Sequence, residues 1–205
     1  RPKVDYKRVF FSFFLWAVIL VTVILVQYFL SPGDFVIQFK LFPFLILLVL
    51  ALILIPLQTS FEEYLFRGYL MQGLGLLTKN KWFPLLFTSI TFGLLHIANP
   101  EVGAFGFQMM VFYIGTGLFL GIITLMDDGL ELALGFHAAN NLVAVILVTS
   151  NNSALQTNAI FEQVSTENSM TEIYIQVFVV FPILIFLFAK KYKWNDWKNK
   201  LTGKI

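Results

Sequence analysis

Residues 9–30 read VFFSFFLWAVILVTVILVQYFL, a stretch without a single charged side chain. A helix needs about 20 apolar residues to cross a bilayer, so this segment is long enough to span one. It ends at SPGD, residues 31–34, where Pro32 and Gly33 break the helix. Comparable apolar runs follow at 41–57, 82–98, 105–126, 131–149 and 173–189. Only 13% of the 205 residues are charged and 58% are hydrophobic, whereas a soluble domain carries about 25% charge. The expected fold is all-α: a polytopic transmembrane helical bundle with about six to eight membrane helices. Residues 1–205 are expected to form one helical domain with no soluble domain appended.

The remaining composition excludes several function classes. A net charge of +2 is too small to suggest a nucleic-acid partner. The basic residues gather in RPKVDYKR at the start and KKYKWNDWKNK near the end. Such clusters fit cytoplasmic flanks beside anionic lipid. With no cysteine, disulfides, thiolate catalysis and Cys-bound metal are all ruled out. No cleavable signal peptide is expected, because the first apolar run is too long and lacks a small-residue cleavage site. Trp82 and Trp194 fall at segment ends, where aromatic belts anchor helices. Residues 150–170, SNNSALQTNAIFEQVSTENSM, read as a polar loop of about twenty residues. Segment 60–76 reads as a separate amphipathic helix. If it does not cross, six spans place both basic termini on one side; a seventh would separate them.

Against this background the charges in TSFEEYLFRGYL, residues 59–70, stand out. An ionisable group in a span costs roughly 2.5–3.5 kcal/mol even on the lenient insertion scale, so its presence points to function. Glu63 and Arg67 are spaced i,i+4 with the acid N-terminal, the better order for an ion pair. Glu62 lies about a quarter-turn round the helix and remains for chemistry as a base. A plain interfacial salt bridge is the bland alternative. The chain's only two histidines, His96 and His137, each have an amide one turn or less away, at Asn99 and Asn141. Taken singly, each histidine reads as a cap or an interhelical hydrogen bond. Together, a carboxylate, two imidazoles and an amide inside a membrane protein fit a hydrolytic site.

The ordered set EEYLFR, FGLLH and HAANN resembles the three motifs of the CAAX-protease and bacteriocin-processing family of intramembrane proteases, the CPBP or Abi group. Glu62, Glu63 and Arg67 fill Glu-Glu-x-x-x-Arg; Phe92 and His96 fill Phe-x-x-x-His; His137 and Asn141 fill His-x-x-x-Asn. The resemblance covers about residues 40–150, the expected catalytic core. It implies an endopeptidase in which Glu62 activates water and His96 orients it or shares its proton. It implies that His137 and Asn141 hydrogen-bond the oxyanion, while Glu63 and Arg67 fix the first helix and Phe92 packs against the site.

It further implies a peptide or protein substrate with a membrane-proximal segment, of CAAX type or leader and bacteriocin type. No obligatory cofactor is implied, the alternative being a divalent metal such as zinc held by Glu62, His96 and His137. No H-E-x-x-H is present, and these three ligands would come from separate helices. The composition looks bacterial, which makes the inner membrane the expected location. The rival readings are a non-enzymatic membrane immunity or partner-binding protein of the same fold, and a proton-coupled transporter.

Overall fold

The structure, a computed structural model, describes residues 3–165 and 169–205. Its helices are α1 (Tyr6–Leu30), α2 (Leu41–Glu63), α3 (Met71–Thr78), α4 (Trp82–Leu94), α5 (Pro100–Phe105), α6 (Met109–Asp127), α7 (Glu131–Leu147), α8 (Ser169–Ile175), α9 (Phe181–Tyr192) and α10 (Trp197–Thr202). Wide π-helical turns, Tyr64–Leu70 and Gln176–Val180, join α2 to α3 and α8 to α9. Among the described residues, four continuous helical runs are long and apolar enough to cross a membrane: Tyr6–Leu30, Leu41–Thr78, Met109–Asp127 and Met170–Tyr192. The shorter apolar helices α4 and α7 join them. The protein is an all-α integral membrane protein, as its composition requires.

Several boundaries differ from the sequence expectation. Segment 60–76 is no separate helix. It continues α2, so Leu41–Thr78 is one run of 38 residues, about 57 Å long at 1.5 Å per residue. Nothing between 57 and 60 breaks the chain, and Pro56 is tolerated inside α2. Glu62 therefore lies deep in a long helix rather than at the start of one. Helix α4 stops at Leu94 instead of 98: the His96 N–H turns back to the Gly93 carbonyl at 2.9 Å, a tight i→i−3 turn. Asn99, just before Pro100, is already extended (φ −66°, ψ 144°), as the proline ring demands. The expected span from 105 begins only at Met109, because Gly106 takes φ +78°.

Within the expected polar loop, residues 150–165 are more ordered than a loop, while 166–168 lie outside the described residues. Strands β1 (Phe35–Ile37), β2 (Val148–Thr149) and β3 (Phe161–Gln163) form a small sheet in the order β1-β3-β2. Strand β3 runs antiparallel to β1 and parallel to β2. Tyr28, Phe35 and Phe161 pack their rings over it, 5.0–6.2 Å between centroids. The period-two signal in three residues is too short to read from sequence.

The chain divides into two compact units. One contains residues 3–4, 62–133 and 169–205; the other contains 5–61 and 134–165. In the first, α4 packs chiefly on α6. Small residues allow this: a Cβ at Gly117 would stand 2.8 Å from the Ser89 carbonyl oxygen, and one at Gly93 would stand 3.0 Å from the Ile114 nitrogen. Close backbone approach matters here because lipid removes the hydrophobic drive between helices and leaves van der Waals packing and polar contacts to hold them. At the far end of α6, Lys200 donates to the Met126 carbonyl at 2.9 Å and pairs with Asp128, while Trp194 donates to Asp127 at 3.0 Å. A cation at a helix C-terminus suits the helix dipole.

In the second unit, Asp5 caps α1 by accepting from the N–H groups of Lys7 and Arg8. Gly135 of α7 lies directly against the α1 backbone at Val9. Ala51 and Ile55 of α2 pack with Leu142 and Val145 of α7, with Phe13 of α1 added to the cluster.

Candidate active site

In the first unit the chemistry is built around Arg67. It lies in the π-helical turn after Glu63, where the wider helix departs from regular α geometry. Arg67 is 1% exposed and Glu63 0%. Arg67 Nη1 donates to Glu63 Oε1 at 3.0 Å, and Nη2 donates to the Gly117 carbonyl of α6 at 3.0 Å. The guanidinium Cζ lies over the Phe92 ring, 4.6 Å from the centroid. Phe92 meets Phe66 edge-on at 5.5 Å. One buried cation thus carries an ion pair, a carbonyl and an aromatic face, and ties three helical segments together. Glu62, half-buried, adds its own electrostatic attraction to Arg67, second to that of Glu63.

Phe92 leads directly to His96. The two rings lie 5.0 Å apart, and the His96 Nδ1 stands 2.8 Å from the Phe92 carbonyl oxygen. A carbonyl only accepts, so Nδ1 carries the proton. In the neutral ring Nε2 then holds the lone pair, ready to accept a proton or orient water. The helix end supplies the arrangement: with its own N–H turned to Gly93, His96 answers the freed Phe92 carbonyl with its side chain. On its other side the imidazole stacks on Tyr113 of α6, 4.5 Å between centroids at 19°. The Tyr113 hydroxyl accepts from Asn99 Nδ2 at 3.2 Å and is hydrogen-bonded with Glu101.

Depth within this unit is consistent. Glu62 lies 16 residues from Thr78, and His96 lies 14 residues from Trp82. At 1.5 Å per residue these are about 24 and 21 Å from the shared turn at Lys79–Lys81. The 13 residues of α4 reach only about 20 Å, short of the roughly 30 Å hydrocarbon core.

The second unit holds His137, Asn140 and Asn141 on α7. His137 is 4% exposed. The indole N–H of Trp16 donates to Asn140 Oδ1 at 3.1 Å; Asn140 Nδ2 donates to Asn141 Oδ1 at 3.1 Å; Asn141 Nδ2 donates to Gln58 Oε1 at 3.3 Å. This directional chain fixes which atom of each amide faces which neighbour. Trp16 is 2% exposed and stacks on Phe136 at 4.6 Å.

Of the residues singled out by sequence, Glu62, Glu63, Arg67, Phe92 and His96 stand in the first unit, and His137 and Asn141 in the second. Among the described residues, neither unit gathers three His, Asp or Glu side chains as a metal cluster. Sequence reasoning missed Tyr113, Gln58 and Trp16. Trp16 carried a signal, since it lies mid-span, away from the interfacial belts where membrane tryptophans collect. Tyr113 and Gln58 carried none beyond polarity in apolar surroundings.

Compared with known proteins, residues 40–143 match a family described as Rce1-like, the type II CAAX prenyl endopeptidase Rce1-like proteins. The uncharacterized protein YyaK of Bacillus subtilis (strain 168) is 34% identical over 196 residues. That match takes in 94% of this chain and 66% of the relative, so the chain spans a little under two thirds of the relative's length. No solved structure matches.

Proposed function

The chain belongs to the Rce1-like family of type II CAAX prenyl endopeptidases, and we propose that it is a glutamate-dependent intramembrane endopeptidase. Glu62 takes a proton from water as the water oxygen attacks the scissile carbonyl carbon. His96 orients that water through Nε2, the nitrogen left as an acceptor by the bond from Nδ1 to Phe92. His137 and Asn141 donate to the oxyanion, a role worth roughly 10²–10³ in rate per donor. The proton held by Glu62 passes to the leaving amine as the C–N bond breaks, yielding a carboxylic acid and an amine. Glu63, Arg67 and Phe92 act as positioning residues.

The observation that supports this reading most is the continuity from Arg67 through Phe92 to His96. It links the helix that carries Glu62 to the His96 ring through direct contacts within one unit, which supports pairing them as base and water-orienting group. No step needs a metal; the zinc alternative through Glu62, His96 and His137 predicts that chelation abolishes activity. The substrate class is a peptide with a membrane-proximal cleavage site, and the location is the bacterial inner membrane.

The test is cleavage of a library of membrane-proximal peptides by the full chain in lipid nanodiscs, beside its Glu62→Gln variant. Cleavage at defined bonds by the wild type alone is expected. No Glu62-dependent cleavage of any member, with the fold intact, would turn the reading towards a non-enzymatic partner-binding protein.

A further inference from the structure

Beside the small sheet of the second unit lies an open cavity of about 250 Å³, lined by Gln38, Thr149, Ser150, Asn151, Gln156, Thr157, Asn158 and Glu162. We propose that this cavity binds a primary ammonium group, the side chain of a lysine or the free N-terminus of a peptide, with Glu162 as its counter-ion.

Three observations carry this. First, every described residue of the lining is polar, in a chain where 58% of residues are hydrophobic. Second, among the described residues the lining includes one charge, Glu162, and no Lys, Arg or His. An anion would meet repulsion there, and a cation would meet its complement.

Third, part of the hydrogen-bonding capacity is already spent. Gln38 Nε2 donates to the Thr157 carbonyl at 3.4 Å and Gln156 Nε2 to the Asn151 carbonyl at 2.9 Å. The Thr157 hydroxyl donates to the Val145 carbonyl at 2.7 Å, and Thr149 Oγ1 accepts from the Thr157 N–H at 3.1 Å. These bonds use one N–H of each glutamine amide and the Thr157 hydroxyl, whereas the Gln38 and Gln156 carbonyl oxygens and the Glu162 carboxylate, all part of the lining, are acceptor groups. An ammonium group offers three donors and no acceptor, which matches.

Charge and size exclude the near rivals. Calcium sites combine six to eight oxygen ligands, commonly with several carboxylates, and a single carboxylate would leave a divalent ion half neutralised. A monovalent ammonium is neutralised fully. Drug-sized ligands occupy roughly 300–1,000 Å³, so this smaller cavity fits one side chain. It gives a function to the polar stretch 150–165, which the peptidase site does not use, and it does not depend on the peptidase reading.

The experiment is isothermal titration of the full chain in nanodiscs with N-acetyl-lysine amide, with its Nε-acetylated counterpart, and with calcium chloride. Saturable binding of the first probe, weakened at least about tenfold by Nε-acetylation, is expected. Glu162→Gln should lose it, and Glu162→Asp should keep a weakened form, with both variants melting like the wild type. Equal binding of the two lysine probes, unchanged binding by Glu162→Gln, preference for calcium, or no saturable binding would each overturn the proposal.

Discussion

The Arg67 guanidinium lies 4.6 Å from the centroid of the Phe92 ring while its Nη1 stands 3.0 Å from Glu63. Both partners of the ion pair are out of contact with solvent. Removing one partner of such a pair costs about 3–5 kcal/mol, because the other charge stays buried. Arg67→Met should therefore unfold far more readily in a detergent melting experiment. Adding Glu63→Leu to Arg67→Met should recover part of the loss. Arg67→Lys should also destabilise, since a compact ammonium lacks the planar fork that reaches Glu63 and Gly117 while the group stays over Phe92. A lysine variant as stable as the wild type would show that the fork geometry is immaterial.

Tyr113 and His96 stack at 4.5 Å. Such aromatic pairs are worth about 0.5–1.5 kcal/mol, up to roughly tenfold in rate if the stack orients the imidazole in the transition state. Tyr113→Leu should lower kcat by up to about that factor with KM unchanged. Tyr113→Phe keeps the stack and should restore most of it. A rise in KM alone would assign Tyr113 to substrate binding instead.

Gly117 approaches the Ser89 backbone, whereas a Cβ at Gly103 would meet nothing within 4 Å. Gly117→Ala should cost about 1–3 kcal/mol through overpacking. Gly103→Ala, inside α5, should be neutral or stabilising. Unfolding of the two variants in the same detergent checks the pair, and equal effects would contradict the packing described.

Trp16 donates to Asn140, two hydrogen bonds along the chain from Gln58. Trp16→Phe keeps an aromatic ring over Phe136 but leaves the Asn140 carbonyl oxygen without its donor, at about 1–3 kcal/mol. Stability should fall by that order. Cleavage should fall with it, because Asn141 loses its fixed orientation. A variant with full stability and full cleavage would remove Trp16 from the site.

What the sequence made legible follows local spacing. The i,i+4 relation of Glu63 and Arg67 and that of Phe92 and His96 both reappear as contacts, because helical periodicity fixes them before any tertiary packing. The partners that complete each group lie far along the chain: Gly117 is 50 residues from Arg67 and Trp16 is 124 from Asn140. No periodicity encodes such pairs. Helices end at Leu94 and begin at Met109, short of their apolar runs, because a tight turn and a positive-φ Gly106 override apolar continuity. The run Leu41–Thr78 reads as two segments because its charged centre resembles a helix start, whereas the helix runs on through it with Glu63 and Arg67 buried.

The central claim is that Glu62 is the general base. The most direct measurement is the single-turnover cleavage rate of a membrane-proximal peptide by the wild type and by Glu62→Gln, in chelated buffer, with melting temperatures recorded alongside. A loss of roughly 10²–10⁴ in rate, with the melting temperature unchanged, is the predicted result. Cleavage by Glu62→Gln at the wild-type rate would contradict it.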